Sequence, residues 1–153
     1  MNKKLIIVIG LPASGKTHLL RCWKTKNIVG WTCEDFHANA RNNSTEVVDS
    51  IFLEPLIKQL NQGVSCAVAD IAFCDLTRLQ FFKDYIISRV PNVNIEHYYF
   101  ENNKQACIEN AERRGRANLE GEIKKIRELS VIYIPPLNAK SNEVYKSESL
   151  GNF

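Results

Sequence analysis

The 153-residue sequence lacks long apolar runs, a large excess of one charge and closely spaced cysteine pairs. A membrane span needs about 18 consecutive apolar residues. The apolar stretch near the N-terminus is much shorter, ends in Gly-Leu-Pro and is better explained as a strand than as a signal peptide. Twenty basic and 17 acidic residues give a net charge of +3, which argues against nucleic-acid binding driven mainly by charge. We therefore expect one cytoplasmic domain with no membrane partner.

The five cysteines are scattered, odd in number and never spaced as C-x-x-C. A disulfide framework or a zinc site needs pairs at short intervals, so we expect reduced thiols that mostly fill the core. None has an obvious histidine partner to lower its pKa, which argues against a catalytic thiol. The cysteines are Cys22, Cys33, Cys66, Cys74 and Cys107.

Strand and helix patterns alternate along the chain. Continuous or alternating apolar residues predict strands over 5–9, 27–32, 64–69 and 93–100, with a short extended piece over 131–134. Helical spacing predicts helices over 16–26, 45–62, 104–114 and 119–130, and one that begins after Asp75 and ends before Pro91. Residues 33–44 are predicted to form a loop, and Pro55 to kink or break its helix near Glu54.

This alternation predicts an α/β fold, a four- or five-stranded parallel sheet flanked by helices. We expect residues 1–136 to form the domain and residues 137–153 to form a polar tail that packs on it or is partly disordered. Ligands of such sheets bind at the carboxyl ends of the strands. The sequence therefore directs attention to the residues that follow each predicted strand.

The segment after the first strand, GLPASGKT, satisfies the pattern G-x-x-x-x-G-K-[ST]. Its glycines permit backbone angles that side chains forbid, so that successive N–H groups and the following helix N-terminus can face phosphate oxygens. The lysine would neutralise the β and γ phosphates, and the threonine hydroxyl would bind Mg²⁺. The predicted nucleotide-binding residues are Gly10, Ala13, Ser14, Gly15, Lys16 and Thr17.

Acidic residues follow the second and third predicted strands. Asp70 ends one of them, where a carboxylate can hold Mg²⁺ or its waters; its alternative role is to cap a turn. Asp35 is predicted to be the general base that accepts the proton of an acceptor hydroxyl. Glu34 is its neighbour and rival, and His37 either contacts substrate or has no role.

Arginines surround a glycine where one helix gives way to the next. Arg113 and Arg114 are predicted to stabilise charge on a transferring phosphoryl group, and Arg116 to contact the nucleotide, with Gly115 as the hinge of a lid. The alternative is a solvated basic helix end, which favours the helix dipole. Arg78, in the helix after Asp70, is predicted to reach the acceptor, with a surface role as its alternative.

The order of these motifs resembles that of small P-loop kinases of the polynucleotide kinase and zeta-toxin type. The resemblance covers residues 3–136 and rests on the segments GLPASGKT, EDFH, VADIAFCDLTRL and YFENNKQACIENAERRGR. It implies a nucleoside-kinase-like domain with an arginine-bearing lid and metal-dependent phosphoryl transfer from ATP or GTP. By position, it implies nucleotide and Mg²⁺ contacts for Lys16 and Thr17, a general base at Asp35, and family arginines at Arg78 and Arg114.

Two positions depart from the family pattern. Polynucleotide kinases carry an arginine that clamps the acceptor phosphate where this chain has residues 36–38, Phe-His-Ala, and Arg41 is a candidate substitute. The first lid arginine of the family corresponds to Asn110 here, so Arg113 is a candidate to replace it. Both departures concern the acceptor more than the reaction.

We expect transfer of a phosphoryl group from ATP or GTP, with Mg²⁺, to a 5′-hydroxyl or a modified-base hydroxyl of a nucleic acid or nucleotide. A kinase of small metabolites or antibiotics, or a toxin-like kinase, would share every motif. A regulatory NTPase without an acceptor is the third alternative. The absence of the guanine-specific pattern N-K-x-D argues against a GTP-dependent switch.

Overall fold

The computed structural model describes residues 3–34, 50–136 and 141–144, and side chains in these ranges except at 50–52 and 141. Within them lie five strands, which we number β1 to β5: Lys4–Ile9, Trp31–Glu34, Cys66–Ala69, Asn94–Phe100 and Ser141–Asn142. The helices α1 to α5 are Lys16–Thr25, Ser50–Asn61, Leu76–Arg89, Lys104–Arg114 and Leu119–Ile132, and a 3₁₀ turn spans Ile71–Cys74. None of these described helices is both long and apolar enough to cross a bilayer.

The strands form one parallel sheet in the order β2-β3-β1-β4-β5. Strand β1 lies at its centre, with Val8 paired to Ala69 of β3 and to Tyr98 of β4. The chain leaves β1 toward one side of the sheet and leaves β3 toward the other. Such a reversal opens a crevice at the carboxyl ends of the strands, and here the crevice lies beside the end of β1.

The two faces of the sheet are covered unequally. Ile6 and Val8 of β1 pack with Leu19 and Leu20 of α1 in a small core on one face. The alternate residues of β1 face a larger core built from α2, α3, α4 and α5. Because β1 is buried on both faces, its sequence is a continuous apolar run, as a central parallel strand requires. The α/β class and the parallel sheet flanked by helices are therefore confirmed.

The second strand begins later than its sequence predicts. Residues 27–30 form a turn in which Asn27 has a φ of 58° and the Ile28 amide donates to the Trp23 carbonyl at 2.8 Å. Asparagine tolerates this left-handed conformation better than most residues, so the turn closes α1 before the strand starts at Trp31. Conversely, residues 33 and 34 belong to β2 rather than to the predicted loop, whose remainder lies outside the described residues.

Of the kink or break predicted near Glu54, the break does not occur. Helix α2 runs through Pro55 without interruption, because one missing backbone hydrogen bond is outweighed by apolar packing on both sides of it. Leu53, Leu56 and Leu60 are all buried in the larger core. The part of this helix predicted over 45–49 lies outside the described residues.

The extended piece predicted over 131–134 is half wrong, since α5 continues through Ile132. The β-branched pair at 131–132 favours strand in isolation, but propensity yields to context. At the end of α5, the Asn102 side-chain amide donates to the carbonyls of Ser130 at 2.8 Å and Tyr133 at 2.9 Å. These bonds satisfy carbonyls that the helix end leaves without partners.

Part of the predicted tail joins the sheet. Ser141–Asn142 forms β5 beside β4, and the Glu101 amide donates to the Asn142 carbonyl at 2.7 Å. Val144 is buried, and its amide donates to the Glu101 carboxylate at 3.3 Å. Residues 141–144 thus pack against the domain at the sheet edge, whereas residues 137–140 and 145–153 lie outside the described part.

Tyr133 ties the carboxyl ends of two strands together. Its side chain is 3% exposed, and its hydroxyl bonds the carbonyl of Ile9 at 3.2 Å and the carbonyl of Phe100. Ile9 directly precedes the glycine motif, so this contact fixes the point at which the loop leaves β1.

Replacement of Tyr133 by phenylalanine should lower the free energy of unfolding by about 1–3 kcal/mol, because two buried carbonyls lose their donor. Denaturant unfolding measures the change. The control is Tyr85→Phe, which removes a hydroxyl bonded to exposed Arg89 at 2.8 Å and should change stability by less than about 0.5 kcal/mol. Equal effects of the two changes would contradict the role given to Tyr133.

Candidate functional site

The loop between β1 and α1, residues 10–15, has a conformation that requires glycine at two positions. Gly15 has a φ of 108° and Ala13 a φ of 65°; both lie in the region that favours glycine. A Cβ added to Gly10 would lie 2.6 Å from Ser14 Oγ and 3.1 Å from the Cβ of Phe100. Glycine is therefore required at position 10 for space and at position 15 for conformation.

Helix α1 begins directly after this loop. Gly15 offers it no side-chain cap, and its first turn carries no acidic residue. The first N–H groups of a helix have no acceptor within the helix, and they carry the positive end of its dipole. The loop and helix start therefore present an array of N–H groups suited to an anion such as phosphate.

The Lys16 ammonium is enclosed by this loop. Lys16 is 8% exposed, and its Nζ donates to the carbonyls of Leu11 at 2.7 Å and Gly10 at 3.0 Å and to Ser14 Oγ at 3.5 Å. A buried charge needs such partners. The lysine thus places a positive charge among the loop residues at the carboxyl end of the central strand.

Thr17 and Glu34 bring the loop into contact with β2. The Thr17 hydroxyl donates to Glu34 Oε2 at 2.6 Å, the short distance expected for a hydroxyl bound to a charged acceptor. Glu34 is the last residue of β2 and lies opposite Ala69 of β3. Sequence reasoning preferred Asp35 at this edge, and the contact with Thr17 gives Glu34 a definite place in the site.

Asp70 follows Ala69 at the same edge and is 1% exposed. Its Oδ1 accepts a hydrogen bond from the Ala72 amide at 2.9 Å and so caps the 3₁₀ turn. The capping role foreseen as an alternative is therefore present. Burial raises the pKa of the Cys74 thiol, and Lys16 and Asp70 make smaller contributions of opposite sign.

Buried thiols lie on the core side of the loop. Cys74 Sγ donates to the Gly10 carbonyl at 3.3 Å, and Cys107 is fully buried nearby. Burial raises the pKa of both thiols to about 12, so neither forms a thiolate near neutral pH. Cys66 is buried likewise, so three of the five cysteines lie in the core as expected, whereas Cys22 and Cys33 are half-buried.

The predicted lid arginines lie at the turn between α4 and α5, where Gly115 has a φ of 57°. Arg114 Nη2 donates to Glu122 Oε2 at 3.0 Å, and Arg116 Nη1 lies 3.9 Å from the same oxygen. The other oxygen of Glu122 is buried and has no hydrogen-bond partner among the described residues. In this conformation the two arginines pair with Glu122, and Arg113 is exposed one residue earlier.

Asn110 is a residue of the site that sequence reasoning did not identify as such. Its Nδ2 donates to the Ala13 carbonyl at 3.0 Å, across 97 positions of the chain. It lies on the buried face of α4 with Cys107, Ile108 and Ala111. A single amide on an otherwise apolar helix face is the signal that could have drawn attention to it.

Other predicted residues lie farther from the loop or outside the described part. Arg78 is half-buried in the first turn of α3, and its amide donates to Asp75 Oδ1 at 3.5 Å. Asp35, His37 and Arg41 fall in residues 35–49, which the structure does not describe. No group of three or more metal-ligating His, Cys, Asp or Glu side chains occurs in the described part; Mg²⁺ usually takes only one or two protein carboxylates together with phosphates.

No protein-family model matches the chain. An uncharacterized protein of Acanthamoeba polyphaga mimivirus is 28% identical to it over 118 residues, which cover 74% of this chain and 75% of the relative. This similarity brings no stated activity.

The buried thiols make stability fall at alkaline pH. Burial raises the pKa of Cys66, Cys74 and Cys107 from an ordinary value of 9.0 to about 12. The unfolded chain loses these protons first, so their contribution is fully present below pH 9 and is lost as pH rises toward the folded value. Between pH 9 and 10 each thiol should lower the free energy of unfolding by about 1 kcal/mol.

Urea unfolding in the presence of reductant at pH 8, 9 and 10 measures this dependence. Cys66→Ala removes one thiol far from the loop and should flatten the slope by about a third, since one of three equivalent terms disappears. An unchanged slope in that variant would contradict the assignment.

Proposed function

We propose that this protein is a P-loop kinase of the polynucleotide kinase-like type, which transfers the γ-phosphoryl group of ATP or GTP to a hydroxyl group of a nucleic acid or nucleotide. The observation that carries the proposal is the buried Lys16 ammonium, bonded to Gly10, Leu11 and Ser14 of the loop that opens α1. This combination of positive charge, turned backbone and helix N-terminus matches what a triphosphate requires.

In the proposed complex, phosphate oxygens accept hydrogen bonds from amides at the start of α1, residues 15–17, and from the Lys16 ammonium. The ammonium exchanges its bonds to the loop carbonyls for bonds to the β and γ phosphates. Once these bonds are exchanged, the donors surround the phosphates before negative charge develops on the transferring group, so little further reorganisation is needed during the reaction.

The residues around the loop fit Mg²⁺. Thr17 offers a hydroxyl, and Glu34 and Asp70 offer carboxylates at the ends of neighbouring strands, which is the oxygen-donor chemistry that this ion prefers. Bound there together with the phosphates, Mg²⁺ would neutralise part of their charge. Thr17 would then turn its oxygen away from Glu34 toward the ion.

The acceptor would approach from the ends of β2 and β3. Its oxygen forms a bond to the γ-phosphorus while the bond from that phosphorus to the β-phosphate oxygen breaks, and nucleoside diphosphate leaves. The acceptor proton passes to a carboxylate, for which we propose Asp35, directly after β2, since the described carboxylates of Glu34 and Asp70 both have other partners. We propose contacts between Arg78 or His37 and the acceptor.

The arginines at the end of α4 and just after it would complete the site. Arg113 and Arg114 are the last two residues of the helix whose Asn110 contacts the loop. We propose that the Arg114 side chain leaves Glu122 and contacts the transferring phosphoryl group, aided by Arg113 and Arg116. Guanidinium groups stabilise charge spread over phosphoryl oxygens.

The central experiment follows radiolabel from γ-labelled ATP or GTP, with Mg²⁺, to a panel of 5′-hydroxyl DNA and RNA, modified-base DNA, nucleotides and small metabolites. We expect label in a nucleic acid or nucleotide, and a loss of about 1,000-fold in rate for Lys16→Ala. Lys24→Ala, an exposed lysine on the same helix, is the matched control and should leave the rate unchanged.

Normal transfer by Lys16→Ala, or no binding of magnesium nucleotides by the wild type, would contradict the proposal. Label released only as inorganic phosphate would favour a regulatory NTPase. For a polynucleotide acceptor, KM should rise steeply with salt concentration because its phosphates are contacted, whereas a neutral metabolite would show little salt dependence.

Asp35 and Glu34 are neighbours with different proposed roles, which substitutions can distinguish. Asp35→Asn should lower kcat by at least about 100-fold at saturating Mg²⁺, because the proton acceptor is lost, while nucleotide binding survives. Glu34→Gln keeps an oxygen for Thr17 but loses the charge, and should mainly raise the Mg²⁺ concentration needed for half-maximal rate. Steady-state kinetics over a Mg²⁺ titration test both; the reverse pattern would make Glu34 the base.

A further inference from the structure

We infer that Asn110 is a positioning residue: its side-chain amide holds the β1–α1 loop and aligns the arginine-bearing end of α4 with it. The inference rests on the proposed function for its kinetic consequences. Its structural part, the fixing of the loop by Asn110, can be tested without any activity.

The first observation is the burial of Asn110. The residue is 4% exposed and lies among apolar neighbours on α4. Burying an amide is unfavourable unless it finds hydrogen-bond partners, and any of several apolar residues would fill this position without that requirement. The bond from Nδ2 to the Ala13 carbonyl at 3.0 Å supplies a partner, and this partner lies in the loop.

The second observation is the conformation of the residue that Asn110 holds. Ala13 has a φ of 65°, which costs a non-glycine residue roughly 1–2 kcal/mol and so needs support from its surroundings. Asn110 bonds the carbonyl of this residue, and the amide of the same peptide unit, Ser14 N–H, donates to Leu11 at 3.2 Å. The Ala13–Ser14 peptide plane is therefore fixed at both ends, immediately before Gly15 and Lys16.

The third observation is the place of Asn110 along its helix. Arg113 and Arg114 follow it by three and four residues, which puts them one helical turn farther along the same side of α4. A rigid turn of helix thus connects the contact at Ala13 with the base of each arginine side chain. A shift at the contact moves the arginines relative to the loop, and displacements of about 1 Å can lower a rate by 100-fold.

An amide suits this position for a specific chemical reason. Aspartate has nearly the same shape, but a carboxylate would face the Ala13 carbonyl with an acceptor instead of a donor. Alanine would leave that carbonyl without its side-chain donor. The two substitutions therefore remove the same hydrogen bond in different ways, one with the volume kept and one with it lost.

The test uses Asn110→Asp and Asn110→Ala in the full chain, with Ile108→Val as the matched control. Ile108 is buried on the same helix, and its change removes a methylene without a polar contact. The first readout is hydrogen exchange of the Ser14 amide, which donates to the Leu11 carbonyl at 3.2 Å, in the nucleotide-free protein. We expect at least a tenfold faster exchange in both Asn110 variants and no change there in the control.

The second readout is kinetic. Both Asn110 variants should lower kcat by about 10- to 100-fold with a smaller change in nucleotide KM, whereas Ile108→Val should retain wild-type kcat. In a double-mutant cycle, the combined loss of kcat in Asn110→Ala with Arg114→Ala should be smaller than the product of the two single losses. The reason is that Asn110 acts in part by positioning Arg114 relative to the loop.

Unchanged loop exchange in both Asn110 variants would overturn the inference, and so would multiplicative single effects in the cycle. If Ile108→Val lowered kcat as much as the Asn110 variants do, Asn110 would have only a general packing role, and the inference would also be overturned. If the wild type transfers no phosphate, the proposed function fails, while the exchange measurement still decides whether Asn110 fixes the loop. Thermal unfolding of each variant shows that the compared proteins are folded.

Discussion

The enclosure of the Lys16 ammonium is the interaction on which the rest of the site depends. A cation that is 8% exposed persists because Gly10 and Leu11 turn their carbonyls toward it. Those carbonyls are available because the loop adopts angles that suit glycine at position 15. The loop in turn starts from β1, whose end Tyr133 fixes. Central strand, turned backbone and buried charge thus form one continuous arrangement.

The topology explains why these groups meet at one edge. Strand β1 sends its chain to one face of the sheet, and the later strands send theirs to the other. The loop after β1, Glu34 at the end of β2 and Asp70 after β3 therefore meet at one edge of the sheet. Glu34 reaches this edge as the last residue of β2, paired with Ala69. Asp70 reaches it as the residue after Ala69, which pairs with Val8 of β1. Helix α4 then closes the crevice from the larger core through Asn110. Each contribution comes from a different part of the chain, yet parallel pairing brings them together.

Much of this arrangement could be predicted from local patterns. The apolar run of β1, the glycine motif and the following helix each have a signal within a few residues, and the structure has all three elements. Boundaries set by tertiary context could not be predicted: α2 passes through Pro55 because buried leucines hold it, and Asn27 closes a turn where a strand was expected. The contact of Asn110 with Ala13 joins residues 97 positions apart, and no periodicity encodes such a pair. The role of Glu34 depended on strand register.

The carbonyl ligands of Lys16 have a consequence for which anions the loop admits. An incoming anion must replace the bonds of 2.7 and 3.0 Å that the ammonium already makes to the two carbonyls. The binding free energy therefore reflects only the difference between the new bonds to the anion and the bonds to the carbonyls that are lost. Chloride or acetate brings one charge and few acceptor atoms, and has little to offer in that exchange. A polyphosphate chain brings several charged oxygens at once and can satisfy the ammonium and the surrounding amides together. For the proposed nucleotide site, the bonds that Lys16 already makes would thus favour a polyphosphate over the small monovalent ions of the cell.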